Sequence, residues 1–301
     1  NYINRGESMQ FELSFDLLQL PLKFKRYCYS IELKDQNDFI HILNDDVICK
    51  KLLLNSNSQR PIYKIKEQFK ELMDIDLVGH YKSIDITPIC YYHKTYPTDL
   101  KNIYDPPFML YTKGKVEYLH ESIAKLAIVG TRSVTDMSEE IVKKIVDESL
   151  MKNFIIVSGL AKGIDSITHG HVDQLNGKTI AVIAGGHQYH YPKCTMSIRK
   201  ELESNHLVVS EYPPMVAPKK WMYPMRNRII SGLSRGVVII QAKEKSGSLI
   251  TLDCALDQNR DAFCVPGSIL DETFSGNNLK IQEGAYPILS ASDILSYYHL
   301  V

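Results

Sequence analysis

The feature that most constrains the fold is a strand–turn–helix–strand unit that runs from Leu126 to Lys162. Two apolar runs, 126–129 and 154–157, flank a segment with helical patterning. Neither run alternates with polar residues, which is typical of strands covered on both faces, as in a parallel sheet. The turns that follow the two strands therefore lie at the carboxyl edge of the predicted sheet.

The first of these turns, Gly130-Thr131-Arg132, has the composition of an anion-binding loop. Gly130 allows a close approach of the backbone, and the helix that follows has free N–H groups at its start. Arg132 adds a planar donor fork that suits a phosphate or a base edge. We expect a negatively charged ligand at this position.

Beyond Leu126, strands and helices alternate with short loops, which predicts an α/β fold with a doubly wound parallel sheet. Ligands on such sheets bind outside the carboxyl ends of the strands, where the strand order reverses. The predicted strands are Leu126–Val129, Phe154–Val157, Thr179–Ile183, Leu207–Ser210, Val237–Gln241 and Ala262–Val265. The predicted helices are Ser138–Lys152, Asp165–Gln174, Met196–Glu203, Met225–Leu233, Leu249–Gln258 and Ala291–His299.

The first part of the chain, residues 1–88, has a different pattern and is predicted to be a small helical module. Apolar residues recur at helical spacing in 62–73, and 39–48 indicates a second helix with Asn37 and Asp38 as candidate caps. The polar loop 55–58 separates them. Residues 89–301 form the second domain, in which the connector 89–125 supplies two short strands at the sheet edge.

Composition narrows the class of protein. The net charge is +0, so any attraction to nucleic acid must be local. The six cysteines have no metal-like spacing and fit buried thiols in a reducing compartment. No apolar run reaches the roughly 18 residues of a membrane span, and no signal peptide opens the sequence. We therefore expect a cytoplasmic protein with no membrane partner.

The segment from Lys219 to Lys245 is the most basic part of the sequence. It has seven lysines and arginines against Glu244, a local net charge of +6. Trp221 and Tyr223 lie among these cations, and a single-strand binder needs both cations for phosphates and rings for bases. The structural alternative is that Arg226 and Arg228 pair with carboxylates such as Glu211.

Two further turns have anion-binding composition. One contains Ser158, Gly159 and Lys162, and it leads to Asp165, which we expect to cap the next helix. The other contains Ser246, Gly247 and Ser248 at a helix start. Neither has Walker A spacing, and the first turn lacks G-x-G-x-x-G, so no nucleotide cofactor is predicted.

Histidines follow the third strand and precede it, which raises the possibility of a metal site. His187 and His190 come after that strand, and His169 and His171 lie on the helix before it. Their spacing matches no H-E-x-x-H or Cys/His frame, so no metal is predicted. We interpret His169 as a hydrogen-bonded packing residue.

Many short motifs occur in a fixed order, and together they resemble the bacterial DNA-processing protein A family (DprA, also called Smf). The resemblance covers about Tyr96 to Leu295. The matching stretches are 128–132, 158–161, 163–165 with His169, 177–182, 191–192, 210–211, 226–230, 246–251 and 265–267, together with Tyr96-Pro97, Pro106-Pro107, Leu110-Tyr111 and Gly114 of the connector.

The resemblance implies an extended Rossmann-like domain that binds single-stranded DNA without cutting it and needs no cofactor. Proteins of this family protect incoming strands in natural transformation and load the RecA recombinase, usually as homodimers. By position, Arg132 and Lys220 are expected to contact phosphates and Tyr223 to line a base pocket. The other residues expected at the DNA-binding site are Gly130, Thr131, Ser158, Gly159, Lys162, Arg226, Asn227, Arg228, Ser246, Gly247 and Ser248.

The sequence also departs from the family pattern. Gln241 stands where the family has an acidic residue at the end of the fifth strand, so a pairing of that residue with the pocket arginines is in question. An apolar surface around Ile269, Leu270 and Ile288 is the candidate dimer interface.

Two other functions remain open from the sequence. One is a nucleotide or nucleoside-phosphate hydrolase, since glycine turns also bind monophosphates; it lacks a convincing acid–base carboxylate. The other is a scaffold without nucleic acid, which leaves the basic segment unexplained.

Overall fold

The computed structural model describes residues 3–31, 33, 35–54 and 61–300. The chain divides into two compact units, residues 1–90 and 91–301, close to the expected boundary between 88 and 89. Each unit has its own buried apolar core.

Unit 1 is helical, with one short strand at its end. Its elements are α1 (Ile3–Leu17), α2 (Leu22–Ser30), α3 (Gln36–Asn44), α4 (Asp46–Cys49), a π-helical turn (Lys50–Leu54), α5 (Ile62–Met73), α6 (Leu77–Ser83) and β1 (Thr87–Cys90). Phe39 is fully buried, and its ring contacts those of Phe11, Phe15, Phe24 and Phe69 edge-on. Such aromatic contacts add to the free energy gained by burial.

The single helix predicted over 39–48 is wrong in detail. Asp45 lies between α3 and α4, and its carboxylate accepts hydrogen bonds from the N–H groups of Val47 and Ile48. An aspartate that caps a new helix interrupts the preceding one. Asp35, rather than Asn37 or Asp38, caps α3. The predicted loop 55–58 lies outside the described residues.

Unit 2 is built on a mostly parallel sheet. Its strands are β2 (Met109–Gly114), β3 (Ala124–Val129), β4 (Phe154–Ser158), β5 (Thr179–Ile183), β6 (Leu207–Ser210), β7 (Gly236–Ile239), β8 (Asp261–Cys264) and β9 (Tyr286–Pro287). Their order is β2-β6-β5-β4-β3-β7-β8-β9. β2 pairs antiparallel with β6, and the other pairs are parallel. The predicted α/β fold is confirmed.

The helices of unit 2 connect these strands. They are α7 (Thr98–Lys101), α8 (Asp136–Ile145), α9 (Glu148–Asn153), α10 (Ile164–Gln174), α11 (Met196–Asn205), α12 (Met222–Gly232), α13 (Gly247–Asp257), α14 (Ser275–Gln282) and α15 (Ala291–Tyr297). The single helix predicted over Ser138–Lys152 is two helices, because Asp147 caps α9 through the N–H of Leu150. α14 was not predicted, since it has little amphipathic pattern.

The central strands have the burial expected of a covered parallel sheet. Every residue of β4 and β5 is buried, as are those of β6 and β7. β3 has β4 on one side and β7 on the other. The strands that follow β3 in the chain are added on its β4 side, and β7 is added on its other side. The topological switch point therefore lies between β3 and β7.

Helices long and apolar enough to span a membrane do not occur in the part of the chain that the structure describes.

Candidate nucleic-acid interface

The loops after β3, β4, β5 and β7 meet at the carboxyl edge of the sheet, as the sequence predicts. They enclose two neighbouring cavities of about 220 and 370 Å³. Arg132, Ala161, Tyr223 and Arg226 line both cavities. The two cavities are therefore parts of one concave site, and these four residues lie between them.

The smaller cavity, here called the tyrosine cavity, is lined by aromatic rings. Tyr189, Tyr191 and Tyr223 contribute to its wall together with Lys162. The rings of Tyr191 and Tyr223 are 6.3 Å apart between centroids, and the Arg132 guanidinium lies 5.6 Å from the centre of the Tyr223 ring. A cation above an aromatic face makes a surface on which a flat base can stack.

The larger cavity, here called the serine cavity, is the crevice at the switch point. The loop of Thr131 faces the start of α13 across it, where Ser246, Gly247 and Ser248 lie. The Ser246 hydroxyl accepts a hydrogen bond from the Ser248 N–H and so caps α13. Helix starts favour anions, and the space beside Gly247 is open.

Arg226 is buried between these cavities, with 5% of its surface exposed. Its Nη1 donates hydrogen bonds to the carbonyl oxygens of Gly159 and Val182, at the ends of β4 and β5. Its Nε donates to the Asn227 amide oxygen at 3.1 Å, and the Asn227 amide donates to the Gly247 carbonyl at 3.2 Å. Arg226 and Asn227 thus connect the ends of β4 and β5 to the start of α13.

Asp165 supports the same arrangement and does not cap α10. Gly163 occupies the cap position, with a φ of 91°. The buried Asp165 carboxylate accepts hydrogen bonds from the N–H groups of Gly159 and Ala161. Burial raises the pKa of Asp165, and the nearby Arg226 guanidinium and backbone N–H groups oppose that shift.

Arg228 is neutralised by carboxylates. Its Nη2 donates to the Glu211 carboxylate at 2.5 Å, and its Nε lies 3.5 Å from the Asp105 carboxylate. This is the pairing that the structural alternative predicted. Arg228 does not line either cavity.

The prediction of one basic face over residues 219–245 is wrong. Arg235 immediately precedes β7, so it lies at the opposite, amino edge of the sheet, 4.1 Å from the centre of the Tyr298 ring. Lys243 is 3.7 Å from Glu272. Strand β7 lies within this segment and crosses the sheet from its amino edge to its carboxyl edge. The charges of the segment are therefore divided between the two edges.

Three predicted cations remain exposed and form no ion pair within the described ranges: Arg132, Lys162 and Lys220. Arg132 and Lys162 line the tyrosine cavity, whereas Lys220 lies outside both cavities, just before α12. They are the cations of the predicted site that remain available to a ligand.

Several predicted site residues have structural contacts. The Ser158 hydroxyl is buried and donates to the Ile128 carbonyl at 2.6 Å, and the Thr131 N–H donates to the Gln241 carbonyl at 2.7 Å. A Cβ on Gly130 would lie 2.7 Å from the Ile164 side chain. Gly130 is thus required by packing within the chain, whereas the sequence attributed it to a ligand.

The Gln241 side chain does not contact the arginines. Its amide oxygen accepts a hydrogen bond from the Ser138 hydroxyl at 2.6 Å, and its amide nitrogen donates to the Thr273 hydroxyl at 2.6 Å. It therefore connects the start of α8 to the loop before α14. An acidic side chain here would have no N–H to donate to Thr273.

Sequence reasoning missed the aromatic role of the loop after β5. Neither Tyr189 nor Tyr191 is among the residues that the sequence analysis places at the site, yet both line the tyrosine cavity and are 42% and 63% exposed. The signal was available: two tyrosines within three residues, beyond a buried strand, indicate a stacking surface.

Two histidines near this loop, His169 and His187, are buried and form hydrogen bonds. The Thr179 hydroxyl donates to the Ile156 carbonyl, so His169 donates its Nδ1–H to that hydroxyl, at 2.7 Å. Burial lowers the pKa of His169 to about 3. The prediction of a packing role for His169 is confirmed. Groups of His, Cys, Asp and Glu suited to a metal do not occur among the described residues.

Comparison with known proteins identifies the family. The family model described as DNA recombination-mediator protein A matches residues 87–299. The DNA processing protein DprA of Bacillus subtilis is 46% identical over 218 residues, 72% of this chain and 73% of that protein. That of Streptococcus pneumoniae is 44% identical over 203 residues, 67% of this chain and 71% of that protein. The chain belongs to this family.

Solved structures agree with that assignment. The X-ray structure of DprA from Streptococcus pneumoniae has 35% sequence identity and a TM-score of 0.79, and the match covers 95% of this chain and 97% of that one. A structure of DNA processing protein A from Helicobacter pylori has 28% identity and a TM-score of 0.63, covering 71% of this chain and 95% of that one. It was determined to explain a single-stranded DNA binding mode of that protein.

The packing of Arg226 on Gly159 leads to a first prediction. A Cβ at position 159 would overlap the Arg226 Nη1, so Gly159→Ala must displace the buried guanidinium. Overpacking of this kind costs about 1–3 kcal/mol of unfolding free energy. Urea denaturation measures the decrease. The matched control is Gly247→Ala, where a Cβ meets nothing within 4 Å and stability should not fall. Equal stability of the two variants would contradict the role given to Gly159.

The buried histidines predict how the stability of unit 2 depends on pH. His169 and His187 both have a pKa of about 3 in the folded chain, lowered by burial, against 6.5 when exposed. The unfolded chain therefore binds protons that the folded chain does not. Each group destabilises the fold as the pH falls below 6.5, by about 1.4 kcal/mol per pH unit.

The variant His169→Gln should remove one of these contributions. Between pH 6.5 and 5, its free energy of unfolding should fall less steeply than that of the unchanged protein, as measured by urea denaturation at several pH values. His190→Gln, on the more solvent-accessible loop after β5, is the control. A slope unaltered by His169→Gln refutes the assignment of a neutral buried imidazole.

Proposed function

We propose that this chain binds single-stranded DNA at the carboxyl edge of its sheet, across the tyrosine and serine cavities. The observation that carries the proposal is a set of three exposed cations, Arg132, Lys162 and Lys220, which form no ion pair with the residues that the structure describes. Arg132 and Lys162 line the tyrosine cavity together with the neighbouring rings of Tyr191 and Tyr223. Cations bind phosphates in any sequence, and rings stack on any base.

In this proposal the two cavities have different tasks. A base enters the tyrosine cavity and stacks on Tyr223, on which the Arg132 guanidinium already lies. A phosphate of the same strand lies against the start of α13 in the serine cavity, where Ser248 and the backbone N–H groups provide donors. Arg226, Asn227 and Arg228 act on the DNA through the shape of the site.

Family membership supports the proposal. The related protein from Helicobacter pylori is described by its single-stranded DNA binding mode, and the Bacillus subtilis and Streptococcus pneumoniae relatives are named as DNA processing proteins. The description of the family as a recombination mediator supports a further step, in which this chain protects incoming strands in natural transformation and loads RecA onto them in the cytoplasm.

The alternative, a nucleotide or nucleoside-phosphate hydrolase, has less support. Asp165 is the one carboxylate among the described residues that line the two cavities. It accepts hydrogen bonds from two backbone N–H groups and lies near Arg226, so it is poorly placed to exchange a proton with a ligand. Glu211 is paired with Arg228. We therefore propose binding without catalysis.

Removal of an exposed cation should weaken DNA binding. Arg132→Ala and Lys220→Ala are each expected to reduce the affinity for oligo-dT by about tenfold at 0.1 M salt, because each variant lacks one cation that neutralises a phosphate. Fluorescence anisotropy over a salt series measures both affinity and its salt dependence. The dependence of log K on log salt should become shallower by about 0.7 for each phosphate that is no longer neutralised.

The matched control for this experiment is Lys143→Ala. Lys143 is a lysine of α8 that pairs with Glu139 and Glu140, away from both cavities. Lys143→Ala should bind oligo-dT with an affinity and a salt dependence within twofold of those of the unchanged protein. Unchanged oligo-dT binding in both Arg132→Ala and Lys220→Ala would refute the proposed site, and release of free base from nucleoside monophosphates would favour the hydrolase.

We further propose that the chain forms a homodimer through the exposed side chains of Ile269 and Leu270, which are 92% and 91% exposed. Ile288, expected in the same surface, is fully buried and is not part of it. Leu270→Lys should convert the dimer to a monomer in light-scattering measurements, since a charge opposes burial. Leu256→Lys, an exposed leucine of α13, is the control. An unchanged protein that is monomeric at every concentration measured would overturn this proposal.

A further inference from the structure

A third cavity lies at the opposite edge of the sheet. Its volume is about 330 Å³, and its buried lining includes Tyr96, Leu119, Lys125 and Leu233. Lys125 is the second residue of β3, whose other end leads to Arg132. Since a strand rises about 3.3 Å per residue, β3 separates this amino-edge cavity from the DNA site by roughly 16 Å.

The unusual feature of the amino-edge cavity is the Lys125 ammonium. Lys125 is only 9% exposed, and its side chain has no hydrogen bond or ion pair among the residues that the structure describes. Burial lowers the pKa of Lys125, and the carboxylates of Asp99 and Glu121 partly oppose that shift. An ammonium recessed in a cavity, with no partner of opposite charge in the described chain, attracts an anion, so the cavity favours one.

The carboxylates that line the cavity are engaged with other cations. Glu121 accepts a hydrogen bond from the Lys178 ammonium at 2.6 Å, and Asp99 lies 3.9 Å from the Arg260 guanidinium. They therefore reduce the positive charge of the cavity only in part. Within the described chain, neither forms an ion pair with Lys125.

Further hydrogen-bonding groups surround the entrance. Lys94 and His120 line the cavity and are exposed, and the Thr98 hydroxyl lies beside them. The pKa of His120 is lowered by burial and then by the positive charges of Lys125 and His93, which shows that these groups act on one another. Two ammonium groups, an imidazole and a hydroxyl converge on one space.

This combination fits a phosphate group with two negative charges. The lysines provide point charges and donors, and Thr98 provides a neutral donor. The buried lining of Leu119 and Leu233 closes the cavity on one side. A phosphomonoester carries close to two negative charges and presents three terminal oxygens to these donors, whereas a phosphodiester carries only one charge.

We propose that the amino-edge cavity is a second anion site, which binds a phosphomonoester dianion with Lys125 as its buried charge. The ligand is inorganic phosphate or the terminal phosphate of a nucleotide or oligonucleotide. The site is independent of the DNA-binding edge, and its occupant does not compete with a DNA strand there.

Isothermal titration calorimetry with inorganic phosphate tests the proposal. Phosphate should bind the unchanged protein, and Lys125→Met should weaken binding at least tenfold. The control Lys143→Met changes an exposed lysine elsewhere and should bind within twofold of the unchanged protein. The double variant Arg132→Ala, Lys220→Ala should retain phosphate binding, because its changes lie at the other edge. A urea denaturation curve of Lys125→Met, compared with that of the unchanged protein, serves as the test of folding.

Two further arms identify the source of the phosphate. Binding of a nucleoside 5′-monophosphate is compared with that of inorganic phosphate, and 5′-phosphorylated oligo-dT with 5′-hydroxyl oligo-dT. Stronger binding of the phosphorylated forms, abolished in Lys125→Met, assigns the site to nucleotide ends; equal binding assigns it to free phosphate.

A measurement on the unchanged protein avoids dependence on the Lys125 variant. Reductive methylation, followed by site-resolved mass spectrometry, should be slowed by phosphate at Lys125 and not at Lys143. The proposal is overturned if inorganic phosphate fails to bind at 10 mM, if Lys125→Met binds it normally, or if only the double variant fails to bind it. None of these results depends on whether the carboxyl edge binds DNA.

Discussion

The carboxyl edge of the sheet, where we propose that DNA binds, depends on one buried interaction, the contact of the Arg226 guanidinium with the ends of β4 and β5. Hydrogen bonds to the Gly159 and Val182 carbonyls fix two neighbouring loops, and Asn227 extends the connection to Gly247 at the start of α13. A buried guanidinium is stable only when its donors are satisfied and a negative charge is near, and Asp165 provides that charge. Removal of any one of these groups would leave another polar group buried without its partner, so the arrangement is mutually dependent.

The cations of the site fall into two groups, those whose charge is used within the protein and those that remain exposed. Arg226 and Arg228 are buried or paired, and their charges are used within the protein. Arg132, Lys162 and Lys220 are exposed, and their charges remain available to a ligand. Loops joined by buried hydrogen bonds, with exposed cations beside them, suit a flexible polymer, because loops that are already held in place lose little conformational entropy on binding. The zero net charge of the chain is consistent with such local placement.

The sequence predicted the parallel sheet and the loops that meet at its edge, because uninterrupted apolar strands and short glycine turns are local signals. It did not predict which cations face a ligand. The residues next to Arg226 and Arg228 in the sequence do not mark them as buried or paired, and the tertiary contacts with Gly159 and Glu211 do. Arg235 shows a related limit: it belongs to the basic segment, yet the four residues of β7 place it at the other edge. Asp45 and Asp147 end helices that periodicity alone would continue.

Lys125 illustrates why a residue within a strand can indicate a ligand site as well as a loop residue can. The four residues of β3 that follow it are buried and apolar, and a lysine at this position costs free energy that an apolar residue would not. Its stem can pack along apolar surface while the ammonium reaches the amino-edge cavity, which removes part of that cost. The remainder is offset in full only by a partner of opposite charge, and Asp99 and Glu121 are engaged with Arg260 and Lys178. An external anion is therefore the partner that the electrostatics of this edge favour, just as exposed cations favour one at the other edge.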